Sequence, residues 1–76
     1  MKNNQIKNRI RKLRFEHDEM TQQQLAEIVG VTRQTIIAIE QGRYAPSLPL
    51  AFQISNAFGV SIEQIFEYVE SKTKGK

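Results

Sequence analysis

The chain has no cysteine, no tryptophan, one histidine and two prolines among its 76 residues. Without cysteine there is no disulfide, no zinc–thiolate site, no iron–sulfur cluster and no thiol nucleophile. One histidine leaves few ways to build a hydrolase triad or a histidine-rich metal cage, so neither metal nor cofactor is expected. No run of about 20 apolar residues is present, so no membrane span is expected. The basic start Met1-Lys2-Asn3-Asn4-Gln5 is not followed by the apolar stretch of a signal peptide. These absences read as a cytoplasmic protein. The length allows one domain. A chain this short buries only about 60% of its extended surface, so its core is thin. Stability must then come from well-capped helices or from a second copy of the chain.

The charge that is present is unevenly placed. Eleven Lys and Arg face eight Asp and Glu, a net charge of +3. Lys2, Lys7, Arg9, Arg11, Lys12 and Arg14 fall in the first 14 residues with no acid among them. A patch of one sign suggests a polyanion as partner, although a basic helix face is also commonly just solvated.

Three strings share one pattern: Met20-Thr21-Gln22-Gln23-Gln24-Leu25, Val31-Thr32-Arg33-Gln34-Thr35-Ile36 and Val60-Ser61-Ile62-Glu63-Gln64-Ile65. Each reads as a helix start, with a Ser or Thr hydroxyl accepting from a free first-turn N–H, worth about 1 kcal/mol. Gln24 and Gln64 are spaced to complete a capping box, and the flanking apolar pairs are spaced as staples. Gly30, Gly42 and Gly59 follow the apolar-periodic runs as stops. The spacing predicts helices over 5–16, 22–29, 33–41, 48–58 and 62–69. Ile6, Ile10 and Leu13 form one stripe of the first, and Ser47 caps the fourth. The expected fold is all-α, a compact five-helix bundle. His17 is expected to cap or pack, not to bind a ligand.

Only Gly30-Val31-Thr32 joins the second and third helices, which forces a sharp angle between them. Ala26 falls where they would cross. A small residue, a Gly four on and an apolar residue six further is the spacing of a helix-turn-helix. At about 100° per residue, Ile36 and Ile39 point to one side of the third helix. Gln34, Ile37, Ala38 and Gln41 point to the other, with Arg33 at the edge. Gln pairs with adenine N6 and N7, Arg with guanine O6 and N7, and an apolar group with the thymine methyl, so this face suits base edges in a major groove. Gln22 and Thr32 stand at helix N-termini, where free N–H groups and the dipole favour a phosphate. Arg43 and Tyr44 reach the backbone on the other side. Thr32 serves equally as a plain cap, and Tyr44 equally as packing before Pro46.

These residues, with Ile39-Glu40-Gln41-Gly42-Arg43, Pro46-Ser47 and Phe58-Gly59-Val60-Ser61, closely resemble the Cro/CI-type (XRE) helix-turn-helix family, with its lambda-repressor-like domain, over nearly the whole chain. The resemblance implies a five-helix domain, and with the helix bounds above it is expected over residues 5–70, after a short arm at 1–4 and before a polar tail at 71–76 whose composition reads as flexible. It implies a transcriptional regulator, most often a repressor, that binds double-stranded operator DNA as a dimer. Carried over, base contacts fall on Arg33, Gln34 and Ala38, and phosphate contacts on Gln22, Thr32 and Arg43. It also implies an ion pair between Arg14 and Glu40. Two departures stand out: His17-Asp18-Glu19-Met20 lacks the glycine often found there and is one residue longer, and Ile37 occupies a position that is often small or polar.

A single module contacts few base pairs, and repressors gain specificity by pairing across half-sites about 34 Å apart. With no separate dimerisation domain, the body must supply a homodimer interface. Candidates are Leu48, Phe52, Phe66, Tyr68 and Val69, with Phe15 also off the core stripe. Intramolecular packing is the alternative for each, and the preferred one for Phe66. A protein-binding antitoxin that represses its own operon is the competing class. An enzyme is not expected, because no paired acids and no phosphate-cradling Gly loop are present.

Overall fold

The computed structural model describes residues 6–69. In chain order it contains β1 (Ile6–Asn8), α1 (Ile10–Glu16), α2 (Gln22–Val29), α3 (Arg33–Glu40), α4 (Leu48–Phe58), α5 (Ile62–Ile65) and β2 (Phe66–Tyr68). The arm and tail expected at 1–4 and 71–76 lie outside the described residues.

Four helices start as their sequences direct. Thr21, Thr32, Ser47 and Ser61 each sit in extended backbone and accept a hydrogen bond from a first-turn N–H. Gln24 and Gln64 reach back to complete capping boxes at Thr21 and Ser61. Helix α2 stops at Gly30, whose φ of 78° lies in the left-handed region that favours glycine. The Gly30 and Val31 N–H groups both donate to the Ala26 carbonyl, at 2.8 and 3.0 Å. The chain therefore turns sharply, with only three residues between the end of α2 and the start of α3.

The first and last elements depart from the all-helical reading. Helix α1 begins at Ile10 instead of residue 5, and α5 ends at Ile65 instead of residue 69. Ile6–Asn8 and Phe66–Tyr68 form a two-stranded antiparallel sheet, with Ile6 opposite Tyr68, Lys7 opposite Glu67 and Asn8 opposite Phe66. A short Ile-x-x-x-Ile spacing is compatible with either state, and pairing across the length of the chain decides between them. Phe66, an aromatic with strand preference, is the first extended residue after α5. Its partner strand brings opposite charges face to face at Lys7 and Glu67.

The sheet also fastens the start of α1. Arg9 offers α1 no side-chain cap. Asn8 does that work from one residue earlier, its Oδ1 accepting from Ile10 N–H at 3.1 Å. The Asn8 amide also donates to the Ile39 carbonyl at 2.9 Å, tying β1 to the end of α3. Arg9 N–H donates to the Ile65 carbonyl at 2.8 Å.

One apolar cluster holds the bundle: Ile10, Leu25, Ala26, Val29, Ile36, Ile39, Leu50, Ile54, Phe58 and Ile65. Ala26 is fully buried with Ile36 and Ile39 of α3, as a close helix crossing requires. Leu13, Met20 and Val31 pack against its edge. His17 stacks edge-on to Phe58, with ring centroids 5.1 Å apart. Its Nδ1 lies 2.9 Å from the Leu13 carbonyl. A carbonyl only accepts, so Nδ1 carries the proton in this contact, which is the packing role expected for His17.

Beside the core sits an ion pair. Arg14 donates through Nε to Glu40 Oε2 at 2.7 Å and through Nη2 to Oε1 at 3.1 Å. Its Nη1 donates to the Met20 carbonyl at 2.8 Å. Gln22 Nε2 adds a third bond to the same carboxylate, at 3.2 Å. The two charged side chains are only 13% and 9% exposed. The long α1–α2 connection reaches this arrangement by placing Asp18 and Glu19 at φ of 59° and 55°, a region costly to side chains with a Cβ.

Two outcomes are expected. Glu40→Ala strands a largely buried guanidinium and lowers the unfolding free energy by about 3 kcal/mol in chemical denaturation. The apolar double variant Arg14→Met with Glu40→Leu loses less, and a Glu40→Ala chain as stable as the parent would show that the pair does not hold these helices. Glu19→Gly relieves left-handed strain and gains about 1 kcal/mol, readable as a higher thermal midpoint. An unchanged or lower midpoint would mean that the turn is unstrained.

Candidate DNA-binding surface

Helix α3 has two faces set by the 3.6-residue period. Ile36 and Ile39 are buried in the core. Arg33, Gln34 and Gln41 are exposed, and Ile37 and Ala38 are half-buried at the margin. Neither the Arg33 nor the Gln34 side chain has a hydrogen-bond partner among the described residues. The Gln34 amide therefore presents a free donor and acceptor side by side, and Arg33 a free fork of donors.

The flanking residues are held more firmly. Thr32 Oγ1 accepts from Thr35 N–H at 3.2 Å and lies 3.1 Å from the Thr35 hydroxyl, so its side chain caps α3 while the residue itself stays exposed. Gln22 is half-buried and bound to Glu40, at the start of α2. Arg43 is exposed and donates from Nε to Gln41 Oε1 at 2.8 Å. Tyr44 is about half exposed. An open groove of about 1250 Å³ runs across this side, lined by Arg11, Lys12 and Arg14 of α1, Gln22 of α2 and Arg33 and Gln41 of α3.

The groove brings Gln22, Arg33 and Gln41 together, and it adds two residues that sequence reasoning had not placed, Arg11 and Lys12. Their only signal was membership of the basic run near the start, which carries no direction. Asn8 was missed as well, because its two bonds depend on β1 lying beside the end of α3.

The interface candidates lie elsewhere. Leu48, Phe52 and Tyr68 are exposed by 68%, 55% and 70%. Val69 is half-buried. Phe66 packs against the core cluster, the intramolecular alternative for this side chain. Phe15 is exposed, and so is Ile28 of α2, which periodicity had not singled out. Among the described residues no three metal-ligating side chains gather, and no helix is long and apolar enough to cross a membrane.

The helix-turn-helix family profile matches residues 10–65, from the first residue of α1 to the last of α5. An HTH-type transcriptional regulator of Methanocaldococcus jannaschii is 52% identical over 67 residues, covering 88% of this chain and all of that protein. The HTH-type transcriptional regulator YgzD of Bacillus subtilis is 48% identical over 61 residues, covering 80% of this chain and 91% of its own. A crystal structure from Bacteroides fragilis aligns with a TM-score of 0.70 at 24% identity, over 82% of this chain and 98% of that one, a likeness of fold. Both relatives are named as HTH-type transcriptional regulators, and each covers four fifths or more of this chain. A matching profile that spans every helix, an outward α3 and relatives of this identity place the chain in the helix-turn-helix family, as an XRE-type transcriptional regulator that binds DNA.

Proposed function

We propose that this regulator is a repressor that binds a palindromic operator as a homodimer, with residues 33–41 lying in the major groove. The observation that carries the reading is the outward face of α3, where Arg33 and Gln34 stand exposed with unused hydrogen-bonding groups. In this reading Arg33, Gln34, Ile37, Ala38 and Gln41 face base edges. Gln and Arg make bidentate pairs with purines there, and Ile37 meets a thymine methyl. Gln22, Thr32, Arg43 and Tyr44 position the protein on phosphates without specifying sequence. Gln22 is suited to this because Glu40 holds its amide at the N-terminus of α2, where free N–H groups attract an anion.

Dimerisation rests on a separate observation. Leu48 and Phe52 are spaced to share one face of α4, and both are largely exposed, as is Tyr68 of β2. Burying exposed aromatic and aliphatic side chains against a second copy is worth about 1.5–3 kcal/mol for each fully covered side chain. A twofold pair then presents two α3 helices to half-sites about 34 Å apart.

The test is selection of duplexes from a random pool followed by binding of variants. Gln34→Ala is expected to lose about 1–3 kcal/mol of discrimination at one base position, while Arg43→Ala weakens all duplexes alike. A Gln34→Ala chain with the parent's base preferences would remove α3 from the reading role. Leu48→Glu with Phe52→Glu should sediment as a monomer at micromolar concentration and bind a full palindrome no better than a half-site. A parent chain that sediments only as a monomer would end the dimer proposal.

A further inference from the structure

We propose that Arg11 and Lys12 of α1 grip the DNA backbone beside the half-site, extending the footprint past the α2 N-terminus. This rests on α3 being the reading helix, and adds two phosphate-binding residues to it. Four cations line the groove beside α3: Arg11, Lys12, Arg14 and Arg33. Two carboxylates, Glu19 and Glu40, line it with them. Glu40 is neutralised by Arg14 at 2.7 Å. Among the remaining groups two positive charges stay in excess.

The cations near the start of the chain are already divided by use. Arg9 pairs with Glu67 at 3.2 Å, and Arg14 is spent on Glu40 and the Met20 carbonyl. The Arg11 and Lys12 side chains are exposed and have no partner among the described residues. Arg11 lies one turn before Arg14 on the same side of α1. Both line the groove that also holds Gln22 and Arg33. A duplex seated on α3 brings its backbone along that groove, and exposed cations not already paired with a carboxylate are suited to phosphate oxygens, whose condensed counterions they release. Such contacts add affinity and salt dependence and leave base preference untouched.

The experiment uses the full chain and two duplexes: one selected from a random pool by the parent protein, one shuffled, each with short or long flanks. Arg11→Gln and Lys12→Gln are each expected to weaken binding about 5- to 10-fold at 0.1 M salt, equally on both duplexes. Each should make the slope of log K against log salt shallower by about 0.9. The double variant should gain nothing from longer flanks, where the parent does, and Arg11→Lys should keep most of the parent's affinity. Both side chains are exposed, so thermal midpoints should not change. Unchanged affinity and slope in the double variant would overturn the proposal, even with Gln34→Ala still losing base preference. Conversely, a parent that selects no preferred duplex would defeat the reading of α3, while a shallower slope on the shuffled duplex would still support the cationic grip.

Discussion

Glu40 accepts three hydrogen bonds, two from Arg14 of α1 and one from Gln22 of α2, while sitting on the last turn of α3. No other group in the structure ties three helices together through one side chain among the described contacts. The Arg14 guanidinium completes the arrangement by donating to the Met20 carbonyl in the α1–α2 turn. A desolvated pair of this kind stabilises little relative to an apolar substitute, yet it is exacting about geometry. Here that geometry sets how the start of α2 and the whole of α3 face the same side. The left-handed Asp18 and Glu19 are the local cost of bringing Arg14 to it.

Around this pair the fold is economical. The helices are short, from four to eleven residues, and isolated helices of that length are marginal in water. Four side-chain caps and one apolar cluster compensate. The two-stranded sheet does something the helices cannot. It closes the first and last described elements on each other and, through Asn8, attaches them to the end of α3. The Asn8 bond and the Glu40 pair meet α3 near the same end, so the helix is anchored there, while Arg33 and Gln34 at its other end stay free.

That arrangement separates two kinds of chemistry. The outward face of α3 carries uncharged amides, one arginine and apolar groups. The flank along α1 carries charge. Uncharged hydrogen-bonding groups discriminate between base edges, whereas cations respond to any phosphate. Arg33 shares the outward side of α3 with the amides, while Arg11 and Lys12 stand on α1 across the groove.

Much of this was legible in the residues. The caps at Thr21, Thr32, Ser47 and Ser61 are local, one hydroxyl and one N–H three positions on, and the turn at Gly30 is local too. The division of α3 into a buried Ile36–Ile39 side and an outward Gln34 side follows from helical period alone. Family resemblance supplied the pairing of Arg14 with Glu40, which composition could not have shown. What remained hidden depends on residues far apart in the chain. Ile6–Asn8 is a strand because Phe66–Tyr68 lies beside it, and Asn8 matters because Ile39 ends next to it. Arg11 and Lys12 line a groove because α2 and α3 form its other wall. Sequence therefore determined where helices begin, end and bury themselves, since those choices are made within a few residues. Tertiary structure decided which ends pair, which cations are spent and which stay free, since these are set by distances that the chain acquires only when it is closed.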